Sequence, residues 1–283
     1  MVNVIDAILN MVKHDAFSMK MRTKSKTRAN NAGDSLEEYV KDMFADTFDI
    51  SETERLEKMK GIFSYLGNQN NPPDIILKNG DAIEVKKIGS LKSGIALNSS
   101  PPKDHLYSDD TRISSECKEC EKWDIKDIMY IIGTVNDNKI EQMSIVYGED
   151  YAASRDVYEH ISTTIKEGIL SIPDVDFEEK TNELGRVNRV DPLGITYLRI
   201  RGMWHIENPL NVYNYIPMPD NRSSFSMFVL INERKYESFD ENSKKKLMSE
   251  MKKNPRLQMR DVEIKDPNNP AKLKNAKMIT YYV

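Results

Sequence analysis

The chain has 283 residues, with 41 Lys and Arg against 45 Asp and Glu and a formal net charge of −4, which excludes a uniformly basic coat protein or tail. At 39% hydrophobic and 30% charged residues it reads as a globular chain of one large or two small domains. No apolar run is longer than that at 128–132, far below the roughly 20 residues a membrane helix requires, and Asp6 stands where a signal peptide is apolar. The expected location is therefore the cytoplasm. Two cysteines, Cys117 and Cys120, are too few for a disulfide scaffold and fit a reducing compartment.

In chain order, residues 4–12 predict a short helix. The stretch 13–28 then carries Lys13, Lys20, Arg22, Lys24, Lys26 and Arg28 against Asp15 alone, either a solvated surface or an arm that meets phosphate. Leu36, Tyr39, Val40, Met43 and Phe44 recur at helical spacing and predict an amphipathic helix over 33–48, with Asp34 and Glu37 placed as a capping box. Strands follow at 74–77, 81–88, 128–135 and 142–147, the last two joined by the polar Asn136-Asp137-Asn138 turn. A helix is predicted over 150–170, a strand over 194–205 and another over 225–232. From Glu241 onward eleven basic residues face five acidic ones, so the middle of the chain is more acidic than the total suggests. Mixed helices and strands without repeats predict an α/β or α+β domain with long loops.

Residues 71–86, Asn-Pro-Pro-Asp-Ile-Ile-Leu-Lys-Asn-Gly-Asp-Ala-Ile-Glu-Val-Lys, read as a hairpin around Asn79-Gly80. A two-residue turn pairs Lys78 with Asp81 and puts Asp74 and Glu84 on opposite faces. A three-residue loop, with Gly80 in a left-handed bulge, pairs Leu77 with Asp81 and sets Asp74 opposite Glu84. Only the second register gathers Asp74, Glu84 and Lys86 on one face. Two carboxylates then hold a hard divalent cation through oxygen beside one ammonium, the set that phosphodiester hydrolysis requires. The same trio on a surface is a salt-bridge ladder.

Pro73-Asp74, nine intervening residues and Glu84-Val85-Lys86 resemble the PD-(D/E)xK signature of restriction-endonuclease-like nucleases, and the preceding helix supplies Glu37 as an auxiliary group. Residues 80–87, 96–103 and 184–194 resemble the NgoPII-like family of type II restriction endonucleases. The resemblance spans most of residues 30–210, less so the carboxy-terminal third. It implies a restriction-endonuclease-like α/β core, a central mixed sheet flanked by helices, in one elaborated domain over 1–283. It implies a Mg²⁺-dependent homodimer that cuts double-stranded DNA at a short palindrome, GGCC for the namesake, leaving a 5′-phosphate. Asp74, Glu84, Lys86 and Glu37 are then the catalytic set, with Asp74, Glu84 and Val85 at the metal.

Guanines are read best by Arg or Lys in the major groove, so Lys103, His105, Arg186, Arg189, Arg199 and Arg201 are candidate DNA contacts, with Asn98 and Ser99 in a polar loop after the catalytic strand. Arg199 and Arg201 share a face of the predicted strand, where ion pairing is the alternative. Cys117-Lys118-Glu119-Cys120 is half a zinc site lacking a second pair, and no P-loop, HExxH or GxSxG motif occurs. The competing function is a DNA-binding or assembly protein that keeps this fold without cleavage, or a nonspecific or repair nuclease.

Overall fold

In the structure, a computed structural model, residues 1–15, 17–19, 28–68, 71–91, 93–218 and 223–283 are described, those at 28–34 and 68 by backbone alone. The basic arm expected at 20–28 lies outside the described side chains. The chain begins with α1 (Val4–His14), α2 (Arg28–Ala45) and α3 (Glu52–Ile62), followed by β1 (Phe63–Asn68), β2 (Asn71–Leu77) and β3 (Ala82–Ile88). Next come β4 (Ile95–Asn98), β5 (His105–Tyr107), α4 (Ser115–Glu119), β6 (Ile125–Asn136), β7 (Lys139–Tyr147), α5 (Gly148–Tyr151) and α6 (Arg155–Leu170). The remainder is β8 (Gly185–Val187), β9 (Leu198–Ile200), β10 (Trp204–Ile206), α7 (Pro209–Val212), β11 (Ser226–Asn232), α8 (Glu233–Ser238), α9 (Glu241–Lys253), β12 (Leu257–Asp266) and β13 (Asn269–Tyr282).

A nine-stranded mixed sheet runs in the order β1-β2-β3-β6-β7-β11-β13-β12, with β5 added beside β6. The β3–β6 and β7–β11 pairs are parallel and the others antiparallel. The central strands are near-continuous apolar runs because both faces are covered. On one face Ile83, Val85, Met129 and Ile131 pack under side chains of α1, α2, α3 and α9. On the other, Ile76, Ala82, Ile128, Tyr130 and Ile132 pack under β4, β5, α4, α5 and the turn after α7. This large mixed sheet flanked by helices is the expected α/β architecture.

Several boundaries differ from the sequence reading, each for a local reason. Helix α2 starts at Arg28, so Gly33, Asp34 and Glu37 lie within the helix and not at its amino-terminal end. The predicted helix over 150–170 is two helices, because Ala152 and Ser154 are extended where α5 ends and α6 begins. The predicted strand over 194–205 is instead β9 and β10, paired with different partners, β8 and β4. The Asn136–Asn138 turn is as expected: Asp137 and Asn138 are left-handed (φ 43° and 65°) and Asn136 pairs with Lys139.

Two features fix the elements that matter below. Arg55 of α3, 3% exposed, pairs with Asp42 Oδ1 at 2.6 Å and Glu38 Oε2 at 2.5 Å on α2, and with Glu52 at 3.1 Å. On β1, a Cβ at Gly67 would stand 2.5 Å from the Pro73 carbonyl oxygen and 2.9 Å from that of Asp74, so β1 lies flat against the Pro-Asp step only because residue 67 has no side chain.

Removing Arg55 leaves the buried Asp42 carboxylate without its cation and Glu38 with Lys41 alone. Arg55→Ala is expected to cost about 3 kcal/mol in urea unfolding. Gly67→Ala must move backbone at Asp74. It is expected to lower stability by about 1–3 kcal/mol and to shift the amide resonances of residues 72–75 and 85.

Candidate active site

The site is built where the β2–β3 ribbon opens. Leu77 N–H donates to the Asp81 carbonyl at 2.9 Å, and Ile76 pairs with Ala82 and Ile75 with Ile83, which is the register of the three-residue loop. The left-handed residue in that loop is Asn79 (φ 56°), whereas Gly80 was expected to carry it. An Asx-type residue tolerates this conformation, and Gly80 N–H closes the turn onto Leu77 O at 2.8 Å. Beyond Ile75–Ile83 the strands part. The N–H of Val85 donates to the Asp74 carboxylate at 2.6 Å instead of to a backbone carbonyl, so the Asp74 side chain takes over where the ladder stops.

Continuing the register sets Asp74 across from Glu84, and strand alternation brings Lys86 to the same face. Lys86 Nζ lies 2.6 Å from Glu84 Oε1. The other Glu84 oxygen is buried without a hydrogen-bond partner. Val85 turns its side chain into the opposite core. Burial raises the Asp74 pKa well above the usual aspartate value, Glu84 and Glu37 add to the rise, and Lys86 and the Val85 N–H oppose it. Burial also works against the Lys86 ammonium, but Glu84, Asp74 and Glu37 outweigh it and hold that pKa above the ordinary lysine value.

Glu37 reaches the site from α2. Leu36 beds directly on Gly133 of β6, where a Cβ would lie 2.8 Å from its Cδ2, and this close crossing carries the next residue toward β3. The Glu37 charge acts on both Asp74 and Lys86. Glu38 faces away, tied to Lys41 and Arg55. Three carboxylates thus surround one ammonium. That excess of negative charge, with an unpartnered buried carboxylate oxygen, is what a hard divalent cation satisfies, and Asp74 and Glu84 have the oxygen donors to hold it.

A small cavity beside Glu84 is lined by Pro72, Leu97, Ser100, Pro101, Lys103 and Tyr130. Lys103 is buried, its ammonium paired with Asp110 and its backbone N–H donating to Tyr130 Oη at 2.7 Å, so it braces this wall. Asn98 and Ser99 are exposed at the end of β4, where Asn98 takes a left-handed turn (φ 54°). Arg186 pairs with Glu178 at 3.2 Å, and Arg199 and Arg201 both pair with Glu183, at 2.6 and 2.5 Å. Arg189 sits on the exposed loop beside Gly194. Cys117 and Cys120 are free thiols, the first buried with its pKa pushed up to about 12 by burial and by Cys120.

Sequence reasoning missed a second polar centre. His105, Asp127 and Glu149 bring ligand-type atoms within 4.8 Å of one another. It lies three residues along β6 from the level of Glu84, since Asp127 precedes Ile128, the partner of Ala82, whereas Glu84 is level with Tyr130. Its acids already have cations: Lys235 Nζ is 2.6 Å from both Asp127 and Asp81, and Arg234 pairs with Glu149. Asp104, 3.3 Å from His105 Nδ1, is the chief cause of a raised His105 pKa. Asp127 and Lys235 are 108 residues apart in sequence, so no spacing motif announced the cluster.

Among the described residues no helix is long and apolar enough to cross a membrane. No solved structure matches the chain. Over all 283 residues, and the full length of both proteins, it is 50% identical to the type II restriction enzyme NgoPII of Neisseria gonorrhoeae. The model of the NgoPII restriction endonuclease family matches residues 2–265. The chain belongs to the NgoPII restriction endonuclease family.

Proposed function

We propose that the whole chain, 1–283, acts in the cytoplasm as one elaborated nuclease unit, a Mg²⁺-dependent homodimer that cuts duplex DNA at a short palindrome. GGCC is the target carried over from the family resemblance, with 5′-phosphate ends. The observation that carries the reading is the convergence of Asp74, Glu84 and Lys86 on one face where the ribbon opens, with one Glu84 oxygen left without a partner. Asp74 and Glu84 hold the cation, and Val85 orients Asp74 through its N–H. When bound, a divalent cation supplies the positive charge that a scissile phosphodiester needs as negative charge builds on it. Lys86 keeps its proton between Glu84 and Asp74, so it serves as a donor that positions the attacking water and offsets charge. Glu37 adds negative charge that holds Lys86 protonated.

DNA contact falls first to the exposed Asn98, Ser99 and Arg189. Arg186, Arg199 and Arg201 join by exchanging Glu178 or Glu183 for phosphate or a guanine edge. Lys103 and His105, paired internally, support the wall beside Glu84 and the strand next to it. A palindrome requires a two-fold protein with one hydrolytic centre per strand.

Plasmid digestion tests the reading. With Mg²⁺ the chain is expected to give discrete fragments; smearing would indicate a nonspecific nuclease, and binding without cutting an assembly protein. Asp74→Asn and Lys86→Ala are each expected to slow single-turnover cutting by about 100- to 1000-fold. Mg²⁺ should raise the unfolding temperature of the wild type and of Lys86→Ala but not of Asp74→Asn. In EDTA the sign reverses. A buried carboxyl whose pKa is raised contributes stability below its unfolded value that is lost as pH rises through the folded one. At pH 8, Asp74→Asn is therefore expected to melt about 2–4 °C higher than wild type, a gain that shrinks toward acid pH as Asp74 takes up its proton.

A further inference from the structure

Residues 153–207 leave the sheet as a long excursion in which no hydrophobic side chain is buried. Trp204 and Ile206 only pack, half-buried, against the edge of one core cluster. Twelve of the twenty exposed large hydrophobic side chains among the described residues fall between Val157 and Met203. Helix α6 shows the imbalance most clearly, because its sides are inverted. Toward the protein it turns Tyr158, edge-on to Trp204 at 5.5 Å, Lys166, which donates to the Thr181 carbonyl at 2.7 Å, and Ile169, which packs at Gly185. Toward solvent it turns Val157, Ile161 and Ile165, each 45–47% exposed, flanked by Thr164 and by Gly168, which has open space around it. An amphipathic helix covers such a stripe unless something else does so.

We propose that the Val157–Ile161–Ile165 stripe of α6 is the face on which a second copy of this chain docks. The inference rests on the nuclease reading above and names the partner that reading requires. Charge separates the stripe from a nucleic-acid surface: Val157, Ile161, Thr164, Ile165 and Gly168 carry no cation to meet a phosphate backbone. Stoichiometry points to a copy, since one chain carries one Asp74–Glu84–Lys86 centre and two strands must be cut. Spacing makes the stripe self-complementary. Val157 and Ile165 lie four residues to either side of Ile161, so an antiparallel two-fold pairing sets Ile161 against itself and Val157 against Ile165 of the partner subunit.

Position completes the argument. A cavity of about 300 Å³ is lined by Arg155, Glu159, Ser162 and Thr163 of α6 together with Pro101. Pro101 also lines the small cavity that holds Glu84. Pairing through α6 therefore sets the two catalytic centres on either side of the junction, one cavity from each helix.

Sedimentation equilibrium of the full chain, with and without a duplex, tests the proposal alongside plasmid digestion. The wild type is expected at twice 32.7 kDa. Ile161→Glu is expected at the single mass, with its circular dichroism unchanged and the dimer dissociation constant raised at least about 100-fold. Ile161→Cys should cross-link to a covalent dimer under mild oxidation while the wild type does not. A wild type at the single mass in both conditions, or an Ile161→Glu variant still at the double mass, would overturn the proposal. So would protection of Ile161→Cys from maleimide by duplex in a chain that stays monomeric, which assigns the stripe to nucleic acid. A wild-type dimer that Ile161→Glu dissociates but that itself cuts no plasmid supports the interface and overturns the nuclease reading; a wild type that cuts plasmid as a monomer does the reverse.

Discussion

Two carboxylates held together in a buried place repel each other, and the rest of the structure is arranged around keeping them there. Asp74 is anchored by the Val85 N–H where the ladder would otherwise continue. Glu84 is held by Lys86 through one oxygen and leaves the other without a partner. In the absence of a cation this is a cost: burial and the Glu84 charge both work against an ionised Asp74. Such local strain persists only where the surroundings over-determine it, and it is characteristic of sites whose function needs the charge.

The surroundings meet that need on three sides. Behind the site, Val85, Ile83 and Ile131 are locked into the larger core, so β3 cannot slide without moving its whole apolar set. Beside it, β1 approaches the Pro73-Asp74 step through Gly67. From the Val85 face of the sheet α2 brings Glu37, and α2 is in turn fixed by Leu36 on Gly133 and by the Arg55 ion-pair cluster. Glu37 and Glu38 are adjacent on the helix yet divide the work: one adds charge to the site and the other anchors the scaffold.

Much of this was legible in the chain because it is local. Asn79-Gly80 limits the hairpin to two registers, and the chemistry of Asp74, Glu84 and Lys86 distinguishes them. The helical spacing of Leu36 to Phe44 placed Glu37 on a helix ahead of the hairpin, although the helix begins earlier than its apolar residues announce. What stayed hidden is non-local. Gly67 matters through a contact with a strand that follows it, and Lys103 looked like a groove reader until Asp110 was seen to hold it. The β12–β13 hairpin is polar and exposed over much of its length, so it shows little of the alternation that reveals a strand. The outward stripe of α6 has an ordinary amphipathic pattern; only the fold shows that its apolar side has nothing behind it.

Acids gather both around Asp74 and around Asp127, and their charge balance separates the two clusters. Around Asp127 and Glu149, Lys235 and Arg234 already supply the positive charge. Around Asp74 and Glu84, three carboxylates share one lysine. The most direct measurement is a crystal of the metal-free protein soaked in Mn²⁺ and read by anomalous scattering. The account predicts a peak between Asp74 and Glu84 and none between His105, Asp127 and Glu149; a peak at the second place alone would contradict it.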